Sequence, residues 1–381
     1  MWPNAMLWVF WLAAIFLAYA FGGYYLVLWV VSLYYKRPHQ RGAIQPAVSI
    51  IIAAHNEAST ISSKILNCLE LNYPPEKYEI IVASDGSDDG TPDIVRSFAH
   101  RGVRLIEIPD RSGKQYAQML ARDAATGEIL LFTDAGVEFE RESLQKIISN
   151  FADTSVGCVS SEDEIVRKKG WMGEQLYVQF EMRMRRLESR IGSLVTASGS
   201  FFAARRSVCH TWHIDQTSDF FVVLNTVSLG MRAVVDPESV GRYGLVHSER
   251  AELQRKIRTI VNGLAVFFAH KELLNPLRYG FFSWQLLSHK LFRWLTPFAM
   301  LLLFVSNLFL WTKGLFYQVA LVSQAAMYAA GLLALSIDRS SVWKPIKLAG
   351  YFLLGNAATV MAWFYFLSGE KFVSWQPSQR G

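Results

Sequence analysis

Cysteine is scarce in this chain. The three present, Cys68, Cys158 and Cys209, are odd in number and widely scattered, which argues against a disulfide framework and leaves ordinary thiols. CHTWHID from Cys209 gathers possible ligands but lacks the paired spacing of a structural zinc site. No G-x-G-x-x-G and no Walker A sequence occurs, since SGK at 112–114 has no upstream glycine, so neither a dinucleotide fold nor a P-loop is supported. SDGSDDGT at 84–91 opens like a calcium loop, yet its twelfth position is Arg96 and a strand precedes it.

Charge is missing in blocks. Charged residues make up 18% of the chain but nearly vanish from 1–35, 294–312, 315–336 and 348–367. Each block approaches or exceeds the roughly 20 apolar residues needed to span a bilayer. AYA at 18–20 resembles a signal cleavage site, but no basic region precedes it and the apolar run continues, so a retained anchor is expected. Lys36, Arg37 and Arg41 follow this anchor, which puts the next segment in the cytoplasm. Arg278, Lys290 and Arg293 precede the following span, Lys313 marks a short outside turn, and Arg339, Lys344 and Lys347 mark a return inside. The expectation is an integral multi-pass protein of the inner or plasma membrane. If 348–367 spans, the tail EKFVSWQPSQRG ends outside; if it lies at the interface, the tail stays inside. Net charge is +6 and the pI about 9.1, which fits Lys and Arg beside anionic lipid and calls for no nucleic acid.

Three parts follow: an anchor at 1–40, a soluble domain at 45–275, and an interfacial helix with C-terminal transmembrane helices at 276–381. Within the soluble part, VSIIIA (48–53), YEIIVASD (78–85), VRLIEI (103–108) and EILLFTD (128–134) are β-rich runs separated by helix-spaced segments. That alternation predicts an α/β fold with a mostly parallel sheet. Asp85 and Asp134 then end strands at the same edge, where open parallel sheets bind ligands. Two carboxylates there suit nucleoside hydroxyls and N–H donors, or a divalent cation bridging to a diphosphate. A nucleotide-sugar offers both.

VSIIIAAHNEASTI, EIIVASDGSDDGT, SGKQYAQMLARDAATGEILLFTDAG, ASGSFFAARR, TSDFF and QRKIRT, in this order over about 45–275, resemble the motifs of family 2 glycosyltransferases, membrane-bound inverting enzymes of GT-A fold that include polysaccharide synthases. The resemblance implies that His55, Asn56, Glu57 and Asp85 hold the nucleoside, that Asp134 anchors Mg²⁺ or Mn²⁺, and that Asp219 is the catalytic base. Lys114, at the start of a helix after Ser112 and Gly113, suits an anion. Ser198, Gly199 and Ser200 fall near the acceptor by the same resemblance, and Gln254, Arg255 and Arg258 share a helix face that would meet diphosphate or acceptor. The expected donor is a UDP-sugar and the acceptor a membrane-associated glycan or lipid, in cell-envelope or extracellular polysaccharide synthesis.

The sequence departs from the family pattern at three places. Gly136 stands where a second metal ligand is usual, with Glu138 the nearest acid; Arg255 and Thr259 replace the Gln and Trp of the Q-x-x-R-W motif of processive synthases. Polymer synthesis and single-sugar transfer therefore both stay open. Few spans offer a narrow path for a polar polymer, although association into a homo-oligomer would enlarge it. Asp88, Asp89 and Asp93 read as caps and turn formers, and Ser218 or Asp219 also suits a helix cap. A non-catalytic, nucleotide-sugar-binding membrane scaffold would keep the fold and lose the base; Asp219 speaks against it. A transporter would need polar or broken midplane helices, and these few spans offer only scattered Ser, Gln and Asn.

Overall fold

The computed structural model describes residues 2–165, 172–244, 249–336 and 343–370. Helix α1 (Trp2–Ala18) runs through a π-helical turn into α2 (Tyr24–Tyr34). β1 (Val48–Ala54), α3 (Ile61–Leu69), β2 (Tyr78–Asp85), α4 (Thr91–Ser97), β3 (Val103–Ile108), α5 (Lys114–Ala124) and β4 (Ile129–Asp134) follow in strict alternation. These strands coincide with the four apolar runs. Beyond them come β5 (Glu138–Phe139), α6 (Ser143–Ser149), β6 (Val156–Ile165), α7 (Met172–Ile191), β7 (Phe201–Arg205), α8 (Ser218–Ser228) and β8 (Arg232–Tyr243).

The eight strands among the described residues form one sheet in the order β3-β2-β1-β4-β7-β6-β8-β5. The half from β3 to β4 is parallel, and β7 then pairs antiparallel with both β4 and β6. The sheet is thus mixed. Strand periodicity builds its two layers: Ile51, Ala53, Leu130 and Phe132 face one core, while Ile50, Ile52, Ile129 and Leu131 face the other. Register sets Ala53 beside Asp134 and Ala54 beside Ser84, so both strand-ending aspartates leave the sheet at one edge.

The C-terminal part contains α9 (Glu249–Ala269), α10 (Pro276–Tyr279), α11 (Phe281–Leu286), α12 (Arg293–Phe309), α13 (Leu315–Ser336) and α14 (Lys344–Leu367). Four helical segments among the described residues are long and apolar enough to cross a membrane: Asn4–Tyr34, Phe281–Phe309, Leu315–Ser336 and Pro345–Leu367. The second begins earlier than the loss of charge at 294 suggests. A π turn at Leu287–Phe292 joins α11 to α12, so the helix runs without a break from 281 to 309. Its polar residues are accommodated by the soluble domain. His289 bonds Glu188 through Nδ1 at 2.7 Å and Glu181 through Nε2 at 2.9 Å, and Arg293 donates to Glu181 at 2.9 Å.

Helix α14 keeps close company with α9. Lys256 Nζ donates to the Tyr351 hydroxyl at 2.9 Å, Ile257 and Val261 pack on Ala358 and Ala362, and the Phe268 and Phe366 rings stack 5.5 Å apart. The two helices therefore run side by side in the same direction. Near its other end α14 meets the start of α12, where the Trp363 indole donates to the Trp294 carbonyl at 3.0 Å. Residues 371–381 of the tail lie outside the described residues.

Candidate active site

The site is built at the edge where β1, β2 and β4 end. After β1 the chain turns through His55 and Asn56, the latter with a positive φ of 54°, a conformation asparagine tolerates better than most residues. His55 Nδ1 donates to the Asp85 carbonyl at 2.6 Å, and Asn56 clasps the next loop, donating to Asp88 at 2.8 Å and accepting from its N–H at 3.0 Å. Glu57 accepts from Thr60 Oγ1 at 2.5 Å. Asp89 accepts from the N–H of Ala58 and from Thr91, in keeping with its reading as a turn former.

Asp85 is buried, and its two carboxylate oxygens accept the N–H groups of Ser112 and Gly113 at 2.7 and 2.8 Å. It fixes the loop that delivers Lys114. Gly86 is required beside it: φ is +58°, and a Cβ there would come within 2.7 Å of the Arg111 nitrogen.

Lys114 Nζ lies 2.5 Å from Asp134 Oδ1 and 3.2 Å from the Gly199 carbonyl. The bend around Gly199 holds several groups together at once. Asp134 N–H donates to the Ser200 carbonyl at 3.1 Å, and Ala197 N–H donates to the Asp219 carbonyl at 3.0 Å. A Cβ on Gly199 would approach Asp219 Oδ2 to 3.3 Å, so glycine permits the close fit. Segment 197–200 thus bridges Asp134 and Asp219.

Asp219 is the second residue of α8; Thr217 is the N-cap position and no side chain caps the helix. The carboxylate is therefore free of the capping role open to it from sequence. Burial raises its pKa above the usual carboxylate range, opposed by Lys114, Lys290 and Arg185.

Ser198 and Ser200 are both buried, and their hydroxyls turn inward to Asp163 Oδ1 at 2.6 and 3.0 Å. Only Gly199 of the three is exposed. On α9, Gln254 is exposed and Arg255 and Arg258 are half-buried. Burial, then Arg255 and Arg111, push the Arg258 guanidinium below its ordinary value. Crowded cations of this kind suit an anion. Arg111 gave no signal in the sequence, because only folding brings the loop after β3 to α9. Lys64 was also missed: buried on α3, it donates to the Val137 carbonyl at 2.6 Å and lies 3.3 Å from the Phe139 ring centroid. Burial pushes its ammonium down to about 8, against Cys68, Asp134 and Glu138. It supports the loop that follows Asp134.

Among the described residues no three His, Cys, Asp or Glu side chains gather as a metal cluster. Glu138 is exposed on β5, leaving Asp134 as the carboxylate at the strand end. One carboxylate still fits Mg²⁺ or Mn²⁺, since such ions are commonly held by one or two carboxylates together with substrate phosphates.

A mixed sheet of this order, with helices on both faces and a carboxylate-bearing ligand edge, defines a GT-A transferase fold. Residues 49–212 match the model of glycosyl transferase family 2 and form a domain of that family. The chain is 29% identical over 143 residues to the glycosyltransferase AglE of Haloferax volcanii, covering 37% of this chain and 47% of that protein. It is 24% identical over 217 residues to a poly-β-1,6-N-acetyl-D-glucosamine synthase of Staphylococcus epidermidis, covering 52% of each. The chain thus spans about half the length of these relatives. The mannosyltransferase PcManGT from Pyrobaculum calidifontis, solved with GDP-Man and Mn²⁺, superposes with a TM-score of 0.71 over 94% of this chain and 99% of its own, at 24% identity. That likeness speaks for the fold.

Proposed function

We propose that this protein is a membrane-bound inverting glycosyltransferase that moves a sugar, a hexose or N-acetylhexosamine, from a nucleotide-diphospho-sugar to a membrane-associated glycan or lipid. The observation that carries this reading is the bridge at 197–200, which sets Asp219 next to the Lys114–Asp134 pair at the ligand edge. The turn at His55, Asn56 and Glu57, with the loop anchored by Asp85, forms the nucleoside end. Lys114, Arg111, Arg255 and Arg258 face the diphosphate. A divalent cation held by Asp134 would offset charge on the leaving diphosphate; the Mn²⁺ in the PcManGT structure supports this choice. Asp219 accepts the proton of the acceptor hydroxyl as its oxygen bonds to the anomeric carbon and the bond to the diphosphate breaks. UDP-sugars and GDP-mannose are the first donors to try.

The positive-inside pattern sets the N-terminus outside and the domain in the cytoplasm. Contact along α9 supports an interfacial, cytoplasmic α14, because a spanning α14 would draw Arg255, Lys256 and Arg258 into hydrocarbon, which is costly. Three spans then remain, and the tail stays inside. A reporter fused after residue 381 is expected to behave as cytoplasmic; an extracellular reporter there would make α14 a fourth span.

Purified monomeric enzyme in detergent, given a panel of nucleotide-sugars and a lipid extract, is expected to move label into the extract from one donor. Label shifted by one sugar supports single transfer, a ladder to long polymer supports a processive synthase, and donor binding without transfer would favour the non-catalytic scaffold.

A further inference from the structure

A buried charge chain lies behind the bridge and leads from the membrane helices to the reaction centre. His289, Glu181 and Arg293 form its outer end. Arg185 comes next on α7. It is buried, its Nε stands 3.8 Å from Glu181, and its Nη1 stands 3.6 Å from Asp163 Oδ2. Neither nitrogen has a hydrogen-bond partner among the described residues. Asp163 passes the contact on, because its other oxygen accepts both Ser198 and Ser200 hydroxyls, and those two hydroxyls lie 2.7 Å apart. Between them sits Gly199, against Asp219 and with its carbonyl on Lys114.

Two buried guanidinium nitrogens that stand beyond hydrogen-bond distance of the carboxylates they face are a poor way to gain stability, since desolvation offsets the attraction. Its geometry suits placement instead. We infer that Asp163 and Arg185 are a positioning pair, which clamps the 198–200 bend so that Asp219 and the Lys114–Asp134 pair keep their spacing, and which ties that spacing to the seating of the membrane helix bearing His289. Neither side chain touches substrate in this account. The inference rests on the proposed roles of Asp219 and Asp134.

The test uses the full chain in detergent, with donor binding and kcat measured separately. Asp163→Asn keeps the shape and an acceptor oxygen but removes the charge that Arg185 faces. Donor affinity is expected to stay within about threefold while kcat falls about 10²-fold, the size of effect that a misplacement near 1 Å produces. Arg185→Gln should fall equally, the double variant should fall no further, and Arg185→Lys should keep most of the rate, because charge and not the guanidinium fork makes the contact. Glu162→Gln serves as the control: its carboxylate is adjacent in sequence but bonds Arg186 at the surface, and the parental rate is expected. Parental kcat in Asp163→Asn, additive losses in the double variant, or donor binding lost in step with kcat would overturn the pair's role. Parental rate in Asp219→Asn would instead remove the reading beneath it.

Discussion

Asp219→Asn is expected to abolish transfer while nucleotide-sugar binding survives nearly unchanged. The carboxylate sits at the second position of α8 without capping it, and its backbone carbonyl holds Ala197 in the bridge. Asparagine preserves that backbone contact and the side-chain volume but cannot take a proton. Losing a positioned general base typically costs about 10² to 10⁴ in rate. The pH dependence follows with a definite sign. Because burial raises the carboxyl above its ordinary pKa, the base is protonated at a higher pH than a free aspartate would be. Activity should therefore fall on acidification with an acid limb above about 3.9, the unperturbed value. A pH profile of kcat/KM checks the limb, and equilibrium binding of the donor checks the variant. Transfer by Asp219→Asn near the parental rate would sink the assignment.

Asp134→Ala should damage binding and turnover together. Asp134 is the partner of Lys114 and the carboxylate placed to share a divalent cation with the donor diphosphate. Its removal frees the Lys114 ammonium and deletes the metal anchor, so charge developing on the leaving group loses its compensation. A loss of about 10²-fold or more in kcat/KM is expected, comparable to deleting a preorganised electrostatic contact. EDTA should silence the parental enzyme, and added Mn²⁺ or Mg²⁺ should restore it. Full activity in EDTA would leave Lys114 and the arginines as the whole electrostatic device and remove the metal from the account.

The parallel half of the sheet was legible because its strands are continuous apolar runs, as burial on both faces demands. The half from β7 to β5, where parallel and antiparallel pairs mix, was not. β6 carries Ser160, Ser161, Glu162 and Asp163, and β8 is interrupted by Pro237 opposite a register irregularity, so neither shows a clean period of two. The site divides in the same way. Asp85, Lys114 and Asp134 mark strand ends and a helix start, positions that spacing reveals. Asp163 and Glu181 have partners far along the chain: Asp163 is 35 residues from Ser198, and Glu181 is 108 residues from His289. No local pattern points to such contacts. Ser198 and Ser200 were legible as part of the site, but the direction of their hydroxyls depends on Asp163 and emerges only from the fold.

The central claim is a single displacement at the anomeric carbon with Asp219 as base. Its most direct test is the configuration of the new linkage, read by proton NMR on product made from an α-linked nucleotide-sugar. A β linkage is the result this mechanism requires, whereas an α linkage would contradict it.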